Sequence, residues 1–297
     1  MPVASMPSLL QDALERRYAI GYFECWDQYS LEASIAASER LAAPAIIGFG
    51  AAVCSQEWLN RGALGDLAQM ARRMAERASV PTAVIFNEGQ DMDQIAAALD
   101  AGCNAVMLDS SALSFHENCR ITRRVFEMAS PYGAAVEAEL GHLPDASDPG
   151  VHGARTDPEE AARFVEVTGV HALAVSIGNA HLVQTGAVAV DLAHLEAIRD
   201  AVQIPLVLHG GSGLPADALA GAIALGVAKV NVGTRLKRLF MEGVREALPA
   251  AGSVSNIHPF VGSREETDYL WRGKHAISLE IERLIELYGS AGQAFAA

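Results

Sequence analysis

Short apolar runs alternate with amphipathic stretches eight times along the chain, and no shift in composition interrupts them. Candidate strands fall at 20–25, 45–49, 82–86, 105–108, 134–139, 172–177, 205–209 and 229–232. Helical patterns follow them at 31–41, 64–78, 92–99, 115–130, 158–168, 192–201, 216–225 and 236–248. Runs such as Ala45-Ile46-Ile47-Gly48-Phe49 are apolar throughout, as strands covered by helices on both faces must be. Eight such units in 297 residues predict a single-domain (β/α)8 TIM barrel rather than an open doubly wound sheet. Thr156-Asp157-Pro158-Glu159-Glu160 supplies a cap, a first-turn proline and first-turn acids for the sixth-strand approach. Ser8 reads as a weaker cap for an N-terminal helix that closes the barrel bottom or precedes the first strand. Beyond the eighth unit, about 250–297 forms a C-terminal extension, largely helical over 263–288, whose Leu270, Trp271, Ile277, Leu279, Ile281 and Leu284 pack on the barrel or on a partner.

A barrel of this kind gathers its chemistry at the carboxyl ends of its strands. In Leu206-Val207-Leu208-His209-Gly210-Gly211-Ser212-Gly213 an apolar strand delivers a histidine into a glycine turn that opens a helix. The ring nitrogen suits a divalent ion, and the glycines let main-chain N–H groups approach an anion. Lys229-Val230-Asn231-Val232-Gly233-Thr234 repeats strand, polar turn and helix one unit later. Other strand ends carry Glu24 and Asp27, Asn87 and Glu88, Asp109 with Ser110 and Ser111, and Glu137 with Glu139. The sixth leads through Gly178-Asn179-Ala180 to His181. His181 and His209 follow consecutive strands and can face each other across the rim. Two histidines and a carboxylate make three ligands and leave an open position, the pattern of a catalytic metal. His116, His171, His194 and His275 lie on or beside predicted elements with no polar constellation and read as structural.

A formal charge of −14 argues against a nucleic-acid or anionic-membrane surface, which would need clustered Lys and Arg. Cys25, Cys54, Cys103 and Cys119 show no CxxC spacing and read as reduced thiols. No stretch approaches a membrane span, and the first 17 residues lack a basic segment followed by an apolar one, so a cytoplasmic location is expected.

With these residues in view, the chain resembles the class II, metal-dependent ketose-bisphosphate aldolases, the family of fructose-bisphosphate and tagatose-bisphosphate aldolases. The likeness covers nearly the whole length and is most specific in VLHGGSG (207–213), GVAKVNVGT (226–234), VEAELG (136–141), VMLDSS (106–111) and AVSIGNAH (174–181). It implies zinc or a similar ion, with manganese, cobalt or magnesium as alternatives, that polarises a ketose carbonyl and stabilises an enediolate. His181 and His209 match two family ligands. Gly210, Ser212 and Thr234, with Gly211 and Gly233 in the same turns, match the phosphate-binding positions, and Asn231 matches a residue that contacts the substrate. The resemblance also implies a phosphorylated sugar substrate, a monovalent cation near the phosphate, and assembly as a homodimer or homotetramer, in which Trp271, Arg272 and Lys274 could reach a neighbour's site.

The departures are specific. Where the family shows His-Leu-Asp-His-Gly, this chain reads Ile85-Phe86-Asn87-Glu88-Gly89. Asn87 replaces the acid/base aspartate, and an amide cannot shuttle a proton near neutral pH. Glu88 takes the place of the third metal histidine, a harder ligand that zinc still tolerates. Leu182 stands where a glycine is usual and Arg235 where an acid is common. The first-strand segment 23–30 is longer and more acidic than the family's. Loop 141–156 is long enough to act as a lid. It lacks the family's proton-handling glutamate, and His142, Asp145, Asp148 and His152 are candidate replacements. Asp109 and Glu139 are the remaining catalytic candidates, Asp109 either replacing the lost acid or organising Ser110, Ser111 and the fifth-strand glutamates. The leading reading is a lyase that cleaves a phosphorylated ketose by a retro-aldol reaction. The same metal site would also serve isomerisation, epimerisation or decarboxylation of a sugar phosphate, and a non-catalytic sugar-phosphate-binding protein is the third reading.

Overall fold

The computed structural model describes residues 3–146, 153–183, 186–248 and 255–295. Eight strands, β1 (Ile20–Phe23), β2 (Ala45–Gly50), β3 (Thr82–Gly89), β4 (Ala105–Leu108), β5 (Ala135–Leu140), β6 (Ala172–Val175), β7 (Leu206–Leu208) and β8 (Val227–Val232), pair in parallel in chain order. β8 returns to β1 in a register that runs from Ile20↔Lys229 to Phe23↔Val232, which closes the expected (β/α)8 barrel. Helix α1 (Met6–Arg16) precedes β1. The strands are followed in turn by α2 (Gln28–Arg40), α3 (Gln56–Trp58) with α4 (Leu64–Arg77), α5 (Met92–Asp100), α6 (Phe115–Ala129), α7 (Pro158–Thr168), α8 (Leu192–Ala201), α9 (Ala216–Ala224) and α10 (Thr234–Ala247), and α11 (Tyr269–Leu287) completes the chain.

Capping chemistry sets several of these bounds. α7 begins where expected because the Asp157 carboxylate accepts from the N–H groups of Glu159 and Glu160, with Pro158 in the first turn. The N-terminal helix starts earlier than the Ser8 reading: Ser5 is its N-cap, without a side-chain cap bond, and Ser8 lies inside it. The terminal helix starts later, at Tyr269 rather than near 263. Asp268 accepts from Leu270 N–H through one oxygen and from Arg264 N–H through the other, so the segment before it is held as a turn. α11 packs on α10 and α2 and buries Ile277, Ile281, Leu284 and Ile285, while Leu279 faces solvent.

The barrel wall separates two apolar clusters. Phe23, Phe49, Phe86, Val106 and Leu173 point outward under the helices. Inside, Ile20, Ile46, Ile85 and Val207 pack with Ala83, Ala105, Ala135, Ala172, Ala174 and Ala228, and α1 plugs the amino-terminal mouth with Met6, Leu10 and Ala13. Alternation along β5 then matters: Val136, Ala138 and Leu140 join the outer cluster, so Glu137 and Glu139 project inward above the alanines.

Candidate active site

Above the alanine layer the interior turns polar, and three side chains converge there. Ligand atoms of Glu88, His181 and His209 all lie within 4.8 Å of one another. Each is aimed by its own backbone device. Between Phe86 and Gly89 the pairing of β3 with β4 slips, and Glu88 adopts φ +53°, so a bulge turns its carboxylate into the mouth. His209 leaves β7 into a tight turn at Gly210, φ +70°, where a Cβ would stand 2.0 Å from the Ala180 carbonyl oxygen. Fully buried Asn179 couples the two histidine-bearing turns: its amide donates to the His209 carbonyl at 3.0 Å, and its oxygen accepts from Ile177 N–H at 2.9 Å. The two rings stand 5.8 Å apart, edge to face at 68°.

His209 is embedded in carboxylates. Its Nε2 lies 3.0 Å from Glu137 Oε1. Its Nδ1 is 3.2 Å from Glu88 Oε1 and 3.3 Å from Glu139 Oε2, with no aligned hydrogen bond to either. Glu137 also pairs with Lys229 Nζ at 2.9 Å, which donates to Asn231 Oδ1 at 2.7 Å and lies 4.9 Å over the Tyr22 ring. Burial alone would depress the His209 pKa, but the Glu137 hydrogen bond and the charges of Glu88 and Glu139 push it up to about 10. Burial would raise Glu88, yet His209, His181 and Lys229 hold its carboxyl down at about 2. Burial raises Glu139 to about 8 against the pull of His209, with Asp109 and Glu88 adding to the rise. His181 is lowered, chiefly by burial. A buried ring nitrogen without an aligned partner, beside the ionised Glu88 carboxylate and with its other nitrogen fixed on Glu137, fits a divalent cation at Nδ1.

The two turns lie beside this trio and share one cavity of about 330 Å³ with it, lined by Gly210, Ser212, Asn231, Gly233 and Thr234 among others. Ser212 Oγ accepts from Arg235 N–H at 3.2 Å and ties one turn to the other. The N-cap of α10 is Gly233, which has no side chain to cap the helix, so apart from the Arg235 N–H held by Ser212 its N-terminal dipole is open to the cavity. Gly211 sits beneath, where a Cβ would meet Val230 Cγ1 at 2.5 Å, and it holds the turn rather than lining the cavity. Glu24 walls the same end, paired with Lys237 at 2.8 Å, and burial raises its carboxyl despite that lysine.

The structure brings Asn87 and Asp109 to the cavity wall, Asn87 at 2% exposure and Asp109 exposed, with its Oδ1 accepting from Ser111 N–H at 3.0 Å. Glu139 is not on that wall but buried beneath it against His209. The base of loop 141–156 docks on the site: His181 N–H donates to Pro144 O at 2.9 Å and Ala146 N–H to His181 O at 3.0 Å, placing His142 and Asp145 on the wall. Asp148 and His152 fall outside the described residues. Arg235 turns away to Glu280 at 2.6 Å, and Lys274 is held by Glu32 of its own chain at 2.7 Å. His171 and His194 are bound to backbone, at Val136 N and Thr156 O, as structural residues. Leu182, in the family's glycine position, has φ +53° and lines the cavity. The sequence marks Glu137 only as one of the fifth-strand glutamates and gives Lys229 and Asn179 no role. The signal for Glu137 and Lys229 was a charge at an inward position of an otherwise apolar strand.

The family model described as fructose-bisphosphate aldolase class-II matches residues 4–293. The chain belongs to the class II fructose-bisphosphate aldolase family. It is 33% identical to the fructose-bisphosphate aldolase of Geobacillus stearothermophilus, over 99% of both chains. It is 35% identical to the uncharacterized protein YdjI of Escherichia coli, over 95% of this chain and 96% of that one. A crystal structure titled as the YdjI aldolase superposes with a TM-score of 0.81, covering 98% of this chain and 99% of the other at 33% identity. A putative fructose-1,6-bisphosphate aldolase from Coccidioides immitis superposes at 0.83, with 97% of both chains covered and 28% identity. Membership supports an aldolase-type lyase and agrees with a trio that could hold a metal ion, since the family is generally metal-dependent. Among the described residues, no helix is long and apolar enough to cross a membrane.

Proposed function

We propose that this chain is a metal-dependent carbon–carbon lyase that splits a phosphorylated ketose, with Glu88, His181 and His209 as the ligands of a divalent ion. The carrying observation is the convergence of that trio in one cavity with two adjacent turns whose main-chain N–H groups can receive an anion. An ion held there would polarise the ketose carbonyl and stabilise the charge that develops on its oxygen. The turns at Gly210 to Ser212 and Gly233 to Thr234 hold the remote phosphate, so its binding energy orients the bond to be broken. Asn87 accepts from a substrate hydroxyl through its unpartnered Oδ1 and cannot take the proton. Asp109, exposed on the wall, is the carboxylate that takes it as the bond breaks. Glu137, hydrogen-bonded to Nε2, orients the His209 ring from beneath, and Glu139 lies 3.3 Å from Nδ1. Two imidazoles and one carboxylate suit zinc, and the carboxylate extends the range toward manganese, cobalt and magnesium.

Metal-stripped protein reloaded with each of these ions and offered a panel of ketose phosphates is expected to release a smaller aldehyde only when loaded. Absence of cleavage with every ion counts against the reading. The loss of the family aspartate at Asn87 favours one alternative, isomerisation or epimerisation, in which the same enediolate would be reached by loss of an α-proton instead of carbon–carbon cleavage, and product analysis separates it because no smaller aldehyde forms.

A further inference from the structure

The cavity has two unlike ends. The anion-binding turns after β7 and β8 form one. Across the Glu88–His181–His209 trio, the opposite wall comes from the end of β3 and the chain beyond β2, β4 and β5, and presents Val53, Asn87, Asp109, His142 and Asp145. That wall carries two carboxylates. No lysine or arginine of the chain lines the cavity, and the residues left undescribed include none. Lys237, the cation paired to the lining Glu24, lies at the other end, after β8.

We infer that the substrate carries a phosphate at one end only and an uncharged, hydroxyl-bearing chain at the other. The inference rests on the lyase reading for the reaction but not for the selectivity. A second phosphate would be placed against Asp109 and Asp145 with no lysine or arginine on that wall to receive it, and like charges in a shielded cleft repel strongly. Hydrogen bonding points the same way. Asn87 is 2% exposed, lines the cavity and leaves Oδ1 without a partner, so this oxygen needs a donor from whatever occupies that end. Sugar hydroxyls donate to an amide oxygen and to carboxylates, whereas an ionised phosphate or carboxylate offers only acceptors. Asn231 Nδ2, also unpartnered, lies on the anion-binding side, where an acceptor-rich group satisfies it. A cavity of about 330 Å³ is ample for one hexose-sized chain.

The test compares ketohexose 1-phosphates with the matching 1,6-bisphosphates, as the fructose, tagatose, sorbose and psicose epimers, on the metal-loaded protein. Binding is read by calorimetry and cleavage by aldehyde release. At least one 1-phosphate is expected to bind ten-fold or more tightly than its bisphosphate, with kcat/KM in the same order. Equal or tighter binding of the bisphosphates overturns the inference, including the case in which a second copy of the chain supplies the missing cation. Failure of every 1-phosphate to bind overturns it as well. Selective binding of a 1-phosphate without cleavage upholds the selectivity and overturns the lyase reading. Asp145→Asn is expected to narrow the gap at least three-fold by weakening the repulsion, and an unchanged gap in a folded variant contradicts the assignment.

Discussion

The lower and upper halves of this barrel are made from the same eight strands and obey opposite rules. In the lower half, six alanines and a few larger aliphatic side chains fill the interior, and α1 seals the mouth with Met6 and Leu10. In the upper half the same inward positions carry Glu137, Glu139, Lys229, Asn231 and His209, all buried. Burying small apolar groups gives a scaffold that needs no partner in any direction. Burying charges requires each to be matched, and the match at Glu137 joins Lys229 and His209 to one carboxylate. The contrast shows where stability and chemistry are divided: β5 passes from Ala135 to Glu139 in four residues and crosses from one regime to the other.

The largest break in that contrast comes from His209→Ala. Loss of a proposed ligand, and with it of the divalent ion it would hold, should lower activity by about a thousand-fold, several kcal/mol of transition-state stabilisation, and abolish stoichiometric metal uptake measured by emission spectrometry. Lys229→Met should follow, destabilising the fold by about 3–5 kcal/mol in chemical denaturation because Glu137 is left buried and unpaired. The pair Lys229→Met with Glu137→Leu extends lower-half packing upward and should recover most of that loss in stability while leaving catalysis impaired; no recovery would mean that the charges are not matched to each other. Ala135→Leu overfills the alanine layer and should cost about 1–3 kcal/mol with metal affinity little changed.

The smallest effect is a pH dependence. Burial holds His171 below its ordinary 6.5, and its Nδ1 accepts from Val136 N–H. Its neutral form therefore contributes stability above about pH 6.5, and that contribution is lost as the pH falls through the unfolded value toward the folded one. Denaturation of wild type and His171→Asn at pH 7.5 and 5.5 should show the steeper acid loss in wild type, and equal slopes would exclude this source.

Much of this division could be read from the chain before any coordinates. The alternation in Ala135-Val136-Glu137-Ala138-Glu139 puts both glutamates on one face, and Asp157 with Pro158 marks a helix whose ends match their expected places. Glu88, His181 and His209 were identified from strand ends and from a family likeness. Contacts that depend on register around the closed barrel could not be read: Lys229 and Glu137 are 92 residues apart and meet only when β5 faces β8 across the interior. Local irregularities were hidden for another reason. The bulge that carries β3 on to Gly89 and turns Glu88 inward arises from pairing with β4, which no local pattern encodes.

The central claim is that one divalent cation sits between these three side chains beside the anion-binding turns. An anomalous-difference map from crystals grown with manganese or zinc tests it most directly. A single strong peak within about 2.0–2.3 Å of a Glu88 oxygen, a His181 ring nitrogen and His209 Nδ1 is the predicted result. A map without a peak there, or His209 Nδ1 still facing its carboxylates with metal bound elsewhere, would contradict it.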